Sequence, residues 1–155
     1  MKTKIECAGF IESSCDDGPG MRSVLFLQGC KKNCAGCQNV RIREHGKGKV
    51  IEIAELVKRI KRECYNKKIT ISGGEPLEQM EGLLKLVEAL KKEEFNICIY
   101  TGWKLEAVPE ILIKNIDFLK TGEFIRELQH EKLQYMGSSN QHMYKIKDGK
   151  LTELF

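Results

Sequence analysis

Lys68-Ile-Thr-Ile-Ser-Gly-Gly-Glu-Pro-Leu77 is the stretch on which the fold turns. Lys68 to Ser72 is a short run of strand formers that stops at Gly73-Gly74, and Pro76 suits the first turn of a helix. From Glu78 to Lys92 the pattern is helical, with Leu83, Leu84, Leu86, Val87 and Leu90 on the apolar side. A buried strand passing through a glycine turn into a helix is half of a βαβ unit, and the other half follows as Asn96-Ile-Cys-Ile-Tyr100, closed by Thr101-Gly102.

The same punctuation recurs on both sides. Upstream, Arg22-Ser-Val-Leu-Phe-Leu-Gln28 reads as a strand ending on Gly29, and residues 51–64 place Ile53, Leu56, Val57, Ile60 and Cys64 at helical spacing. Downstream, Leu105 to Lys114 reads as a short helix and Ile116-Asp-Phe-Leu119 as a strand closed by Thr121-Gly122. Lys4 to Ile11 alternates loosely as a first strand, and His142 to Lys147 is a last extended segment. Strands alternating with helices define an α/β fold with a mostly parallel sheet. A closed eightfold barrel takes about 200 or more residues, so 155 residues fit a partial, open β/α barrel. One domain spanning residues 1–155 is expected.

Composition narrows the function classes. The chain carries 26 Lys+Arg against 22 Asp+Glu, a net charge of +4 that supports no nucleic-acid footprint. No apolar run approaches the roughly 20 residues of a membrane span, and Met1-Lys-Thr-Lys-Ile-Glu6 has no apolar leader core. No membrane association and a cytoplasmic location are therefore expected. Seven cysteines in such a chain point to metal binding or catalysis rather than to bridges.

Three of the seven crowd into Cys30-Lys-Lys-Asn-Cys34-Ala-Gly-Cys37, a C-x3-C-x2-C loop directly after the Arg22–Gln28 strand. Free thiols packed in a polar loop are a redox liability. A structural zinc site normally closes with four ligands; only one C-x2-C pair is present, and Cys7 or Cys15 could supply a fourth ligand. An iron–sulfur cluster is also held by thiolates. Three thiolates on a four-iron cluster would leave one iron open for chemistry, and Lys31, Lys32, Arg41 and Arg43 would offset the cluster's charge.

Taken with Gly73-Gly74-Glu75-Pro76, the cysteine loop resembles the hallmark of the radical S-adenosylmethionine (SAM) enzymes. That resemblance implies that Cys30, Cys34 and Cys37 hold a 4Fe-4S cluster through which catalysis runs. It implies that SAM chelates the fourth iron, that Gly73, Gly74 and Glu75 bind its methionyl amino group, and that Gly36 and Gln38 lie against its adenosine. Asn39, Thr101 and Asn140 are further candidate SAM contacts. Asp17-Gly-Pro-Gly-Met-Arg22, Phe26 and Gln28-Gly-Cys30 are similar to the signature of glycyl-radical-enzyme activases, with Asp17 and Arg22 shaping the loop near the substrate glycine.

Gly137-Ser-Ser-Asn-Gln141 is similar to a segment of the small activases that serve anaerobic (class III) ribonucleotide reductase. The implied partners are thus a large glycyl radical enzyme, the catalytic subunit of anaerobic ribonucleotide reductase, and a flavodoxin or ferredoxin-type electron donor. Two departures stand out. Gln38 replaces an expected aromatic residue, and Thr121-Gly122-Glu123-Phe124 replaces an Asp-Gly pattern. The competing readings are a small radical SAM enzyme acting on a small molecule, as in deazaguanine synthesis, and a non-catalytic zinc or iron–sulfur protein.

Overall fold

The computed structural model describes residues 2–32, 34–37 and 39–155. Eight strands form one sheet: β1 (Lys4–Ser14), β2 (Arg22–Leu27), β3 (Lys49–Glu52), β4 (Lys68–Gly73), β5 (Asn96–Tyr100), β6 (Phe118–Thr121), β7 (His142–Lys147) and β8 (Lys150–Leu154). Their spatial order is β3-β1-β2-β4-β5-β6-β7-β8. Helices α1 (Ile53–Glu63), α2 (Met80–Lys92) and α3 (Glu110–Ile113) fill the crossovers, with 3-10 turns at Val40–Ile42, Pro76–Gln79, Leu105–Ala107 and Arg126–Leu128. None of these helices is long and apolar enough to cross a membrane.

The expectation of a mostly parallel sheet is corrected. Only the centre, β2-β4-β5-β6, is parallel. Four of the seven pairings are antiparallel, because β1 pairs antiparallel with both β2 and β3, and β7 with both β6 and β8. For β7 and β8 the reason is connection length. Parallel neighbours need a long crossover, whereas the short link between β7 and β8 allows only a hairpin; there Asp148 and Gly149 both take positive φ.

Side chains alternate across the central strands. One set, including Leu25, Leu27, Ile69, Ile71, Ile97, Ile99 and Leu119, joins Leu56, Ile60, Leu83, Leu86 and Leu90 of the helices in the core. Helix α1 buries Ile53, Leu56 and Ile60, one stripe at helical spacing. The alternate set, including Phe26, Ser72, Tyr100 and Lys120, lines a cavity on the other face. Pro109 divides the segment expected as one helix over 105–114, leaving a 3-10 turn before it and the four-residue α3 after it.

Arg22 closes the amino end of this inner face. Only 1% exposed, its guanidinium donates to Thr70 Oγ1, to the carbonyls of Pro19, Ile69 and Asn96, and to Asn96 Oδ1, all at 2.7–3.0 Å. Thr70 Oγ1 in turn donates to the Asp17 carbonyl at 2.6 Å. The Asp17-Gly-Pro-Gly20 turn is thereby fixed from below, and Asp17 is placed on the cavity wall.

Candidate functional site

The site begins where β2 and β4 end. These strands run parallel with Leu27 opposite Gly73, so the loops after them leave side by side. Gly74 N–H donates to the Leu27 carbonyl at 3.0 Å and Glu75 N–H to the Gly29 carbonyl at 2.8 Å. A Cβ at Gly73 would stand 2.3 Å from the Leu27 oxygen, and one at Gly74 would stand 2.2 Å from the Gly29 oxygen. From the sequence the glycine pair reads as clearance for a ligand. In the fold, the neighbour it clears is first the backbone of the cysteine loop's own root.

Glu75 is 2% exposed. Its carboxylate accepts from Leu77 N–H at 2.9 Å, Thr101 Oγ1 at 2.8 Å and Gly102 N–H at 2.6 Å. Burial pushes its pKa up, and these three donors pull it back. Thr101, expected as a ligand contact, spends its hydroxyl proton on Glu75 and accepts from Trp103 N–H at 3.0 Å.

The cysteine loop is tied down at its start and past its end. Gly29 and Cys30 N–H donate to the carbonyls of Ile42 and Arg43. Lys31 N–H donates to Glu78 Oε2 at 2.9 Å, and His45 Nε2 lies 2.8 Å from Glu78 Oε1. Asn39 Nδ2 donates to the Gly73 carbonyl at 2.9 Å, bridging the two motifs directly. Gly36 takes φ +74° in the turn that precedes Cys37. Gln38 lies outside the described residues.

Cys30, Cys34 and Cys37 are half-buried, and none is in a disulfide. Burial raises the thiol pKa of Cys30 and Cys34, and the neighbouring Glu123 adds to the rise at Cys34. Among the described residues no three His, Cys, Asp or Glu side chains converge as ligands on one point. The donor set still suits a thiolate-held cluster, since three unbridged thiols share one short loop whose ends are anchored. By contrast, Cys7, Cys64 and Cys98 are buried, and burial drives Cys7 and Cys98 up to about 11, as befits packed thiols.

Two cavities flank these loops. The inner-face cavity, about 620 Å³, is lined by Cys37, Asn39, Ser72, Tyr100 and Lys120, with Cys15–Asp17 and Leu133–Gly137 forming walls. A second, about 520 Å³, lies beside Gly102, Thr121, Glu123 and Asn140. Asn140 Nδ2 donates to the Glu123 carbonyl at 2.8 Å, while its buried Oδ1 has no hydrogen-bond partner among the described residues. Gln141 holds the same loop shut, donating to the Gly122 carbonyl and accepting from Gly137 N–H.

Sequence reasoning missed the Glu78–His45 latch and the place of Lys120 on the inner face. Glu78 lies three residues past Glu75 in a 3-10 turn, which was the one available signal for it.

Residues 16–144 match a family model described as a 4Fe-4S single cluster domain, the class to which fold and thiol loop point. Similarity extends to the anaerobic ribonucleoside-triphosphate reductase-activating proteins of Enterobacteria phage T4 and Haemophilus influenzae. The phage protein is 32% identical over 146 residues, covering 87% of this chain and 92% of that one. The Haemophilus protein is 33% identical, covering 84% and 92%. The chain belongs to this family of activating proteins. In fold it is similar to QueE from Escherichia coli, with TM-score 0.54 and 23% identity over 64% of this chain and 53% of that one.

Proposed function

We propose that the chain is a radical SAM activase, holding a 4Fe-4S cluster on Cys30, Cys34 and Cys37 and binding SAM beside it. Its partner is a glycyl radical enzyme, the anaerobic ribonucleoside-triphosphate reductase. The observation that carries the reading is the direct tie between the two motifs, Asn39 Nδ2 to the Gly73 carbonyl and Glu75 N–H to the Gly29 carbonyl. When bound, the reduced cluster supplies one electron to SAM, giving methionine and a 5′-deoxyadenosyl radical that takes a hydrogen atom from a partner glycine.

The protein's part is positioning and exclusion of water. Glu75 is held rigid by Leu77, Thr101 and Gly102. A carboxylate offers about four lone-pair sites, so one remains for the methionyl ammonium beside Gly73 and Gly74. Gly36 and Gln38 would meet the adenosine, Asn39 would add a polar contact, and the buried Asn140 Oδ1 offers an acceptor to the same ligand. The eight-stranded sheet would act as a partial barrel whose open side receives a polypeptide rather than a small molecule. A flavodoxin or ferredoxin-type donor, a cytoplasmic location and a single domain over residues 1–155 complete the reading.

The test is anaerobic incubation of the iron-loaded protein with SAM, reductant and the reductase. A glycyl radical signal on the reductase, with matching 5′-deoxyadenosine, is the expected result. A zinc-bound protein inert toward SAM, or SAM cleavage that never yields a glycyl radical, contradicts it.

A further inference from the structure

The inner face holds an ammonium and a hydroxyl that the arrangement above leaves unused. Lys120 of β6 and Tyr100 of β5 are register partners, and both line the 620 Å³ cavity. Lys120 Nζ stands 3.8 Å from the centroid of the Tyr100 ring and makes no hydrogen bond or ion pair among the described residues. The Tyr100 hydroxyl is buried and also has no hydrogen-bond partner among them.

The surroundings do not neutralise this pair. Asp17 shares the cavity and accepts from Ser14 Oγ at 2.6 Å, but forms no ion pair with Lys120 among the described residues. Arg22, deeper on the same face, is fully engaged with carbonyl, amide and hydroxyl oxygens. Cys98 is a buried neutral thiol. Burial accordingly lowers the Lys120 pKa to about 8, with Asp17 acting in the opposite direction. Leaving a buried polar group such as the Tyr100 hydroxyl unmet costs free energy, and here two donors share one cavity. A ligand that meets both must bring acceptor oxygens, and an anion relieves the ammonium most.

We propose that Lys120 and Tyr100 bind a carboxylate of the polypeptide that enters this cavity, an Asp or Glu side chain or a chain terminus near the reacting glycine. This rests on reading the chain as an activase of another protein. A polypeptide source is favoured because two surface segments, Cys15–Asp17 and Leu133–Gly137, frame the cavity. Glu75, by contrast, is engaged by the next residues of the strand end, Thr101 and Gly102.

The experiment uses the iron-loaded protein and the intact reductase, comparing Lys120→Met, Lys120→Arg and Tyr100→Phe. In glycyl radical formation, Lys120→Met raises KM for the reductase about tenfold, the loss of one charge-assisted contact, and kcat changes less. Lys120→Arg restores most of the affinity, and Tyr100→Phe gives a smaller rise. Lys120 is half-buried on a cavity wall, so Lys120→Met should melt close to the unaltered protein, and weakened binding of the reductase is separable from misfolding. An unchanged KM in Lys120→Met overturns the proposal. So does weaker SAM binding with unchanged KM, which would assign the pair to the SAM carboxylate. Should the unaltered protein cleave SAM yet never form a glycyl radical, the activase reading fails and this site falls with it.

Discussion

The side-chain amide of Asn39 donates to the carbonyl oxygen of Gly73 at 2.9 Å. The loop with the three cysteines is thereby joined to the turn with Glu75, and the Glu75 N–H to Gly29 carbonyl bond makes a second strut at the other end of that loop. Any ligand bridging thiols and carboxylate meets a frame already assembled by backbone contacts.

Glu78 latches the start of the cysteine loop through Lys31 N–H and His45. Glu78→Ala removes both contacts, costing about 1–2 kcal/mol of stability. Iron release to a chelator should be faster than in the unaltered protein, while Glu78→Gln, which retains an acceptor for Lys31, should fall between. Equal release rates in all three would show that the latch does not hold the loop.

Gly74 is fixed by the Gly29 carbonyl, 2.2 Å from where a Cβ would lie. The obstacle is backbone, so it cannot swing aside as a flexible side chain would. Gly74→Ala should destabilise the fold by about 3 kcal/mol, measured by denaturant unfolding under anaerobic conditions. Gly46→Ala is the control, since a Cβ there meets nothing within 4 Å, although its positive φ carries a smaller strain. Equal losses at the two positions would contradict the packing argument.

Glu75 gives a pH dependence with a definite sign. Burial raises its pKa in the folded chain above the ordinary 4.5. A carboxyl that holds its proton more tightly when folded contributes stability below its unfolded pKa, and loses it as pH rises through the folded value. The stability advantage of the unaltered protein over Glu75→Gln should therefore shrink from acid to neutral pH. Growth of that advantage over the same range would overturn the assignment of desolvation as the dominant cause.

Arg22 anchors the Asp17–Gly20 turn and the ends of β4 and β5 by five hydrogen bonds. A lysine offers three donors from a point and cannot reproduce the planar fork. Arg22→Lys should lower stability by about 3 kcal/mol, read from thermal unfolding, and a loss below about 1 kcal/mol would mean the fork is dispensable.

The centre of the fold was legible because its strands are apolar and end on glycines. Asn96–Tyr100 forms a strand with the boundaries the sequence indicates, as does His142–Lys147 beside the centre. The flanks were not. Lys49–Glu52 runs straight into the helical pattern of α1, hiding β3, and Lys150–Leu154 is an edge strand too exposed to show an apolar rhythm. The cysteine and Gly-Gly-Glu motifs could be read as chemistry, but the work of Thr101 in holding Glu75 depends on contacts across the sheet. Lys120 reads as one more surface charge until its register with Tyr100 places it on the inner face.

We propose that the Cys30–Cys37 loop holds a cluster with one iron open to SAM beside Glu75. Low-temperature electron paramagnetic resonance of the anaerobically reduced protein, recorded with and without SAM, tests it most directly. The expected spectrum is a reduced 4Fe-4S signal whose g values shift on adding SAM and that disappears in Cys34→Ala. A spectrum indifferent to SAM, or one that survives loss of Cys34, would contradict it.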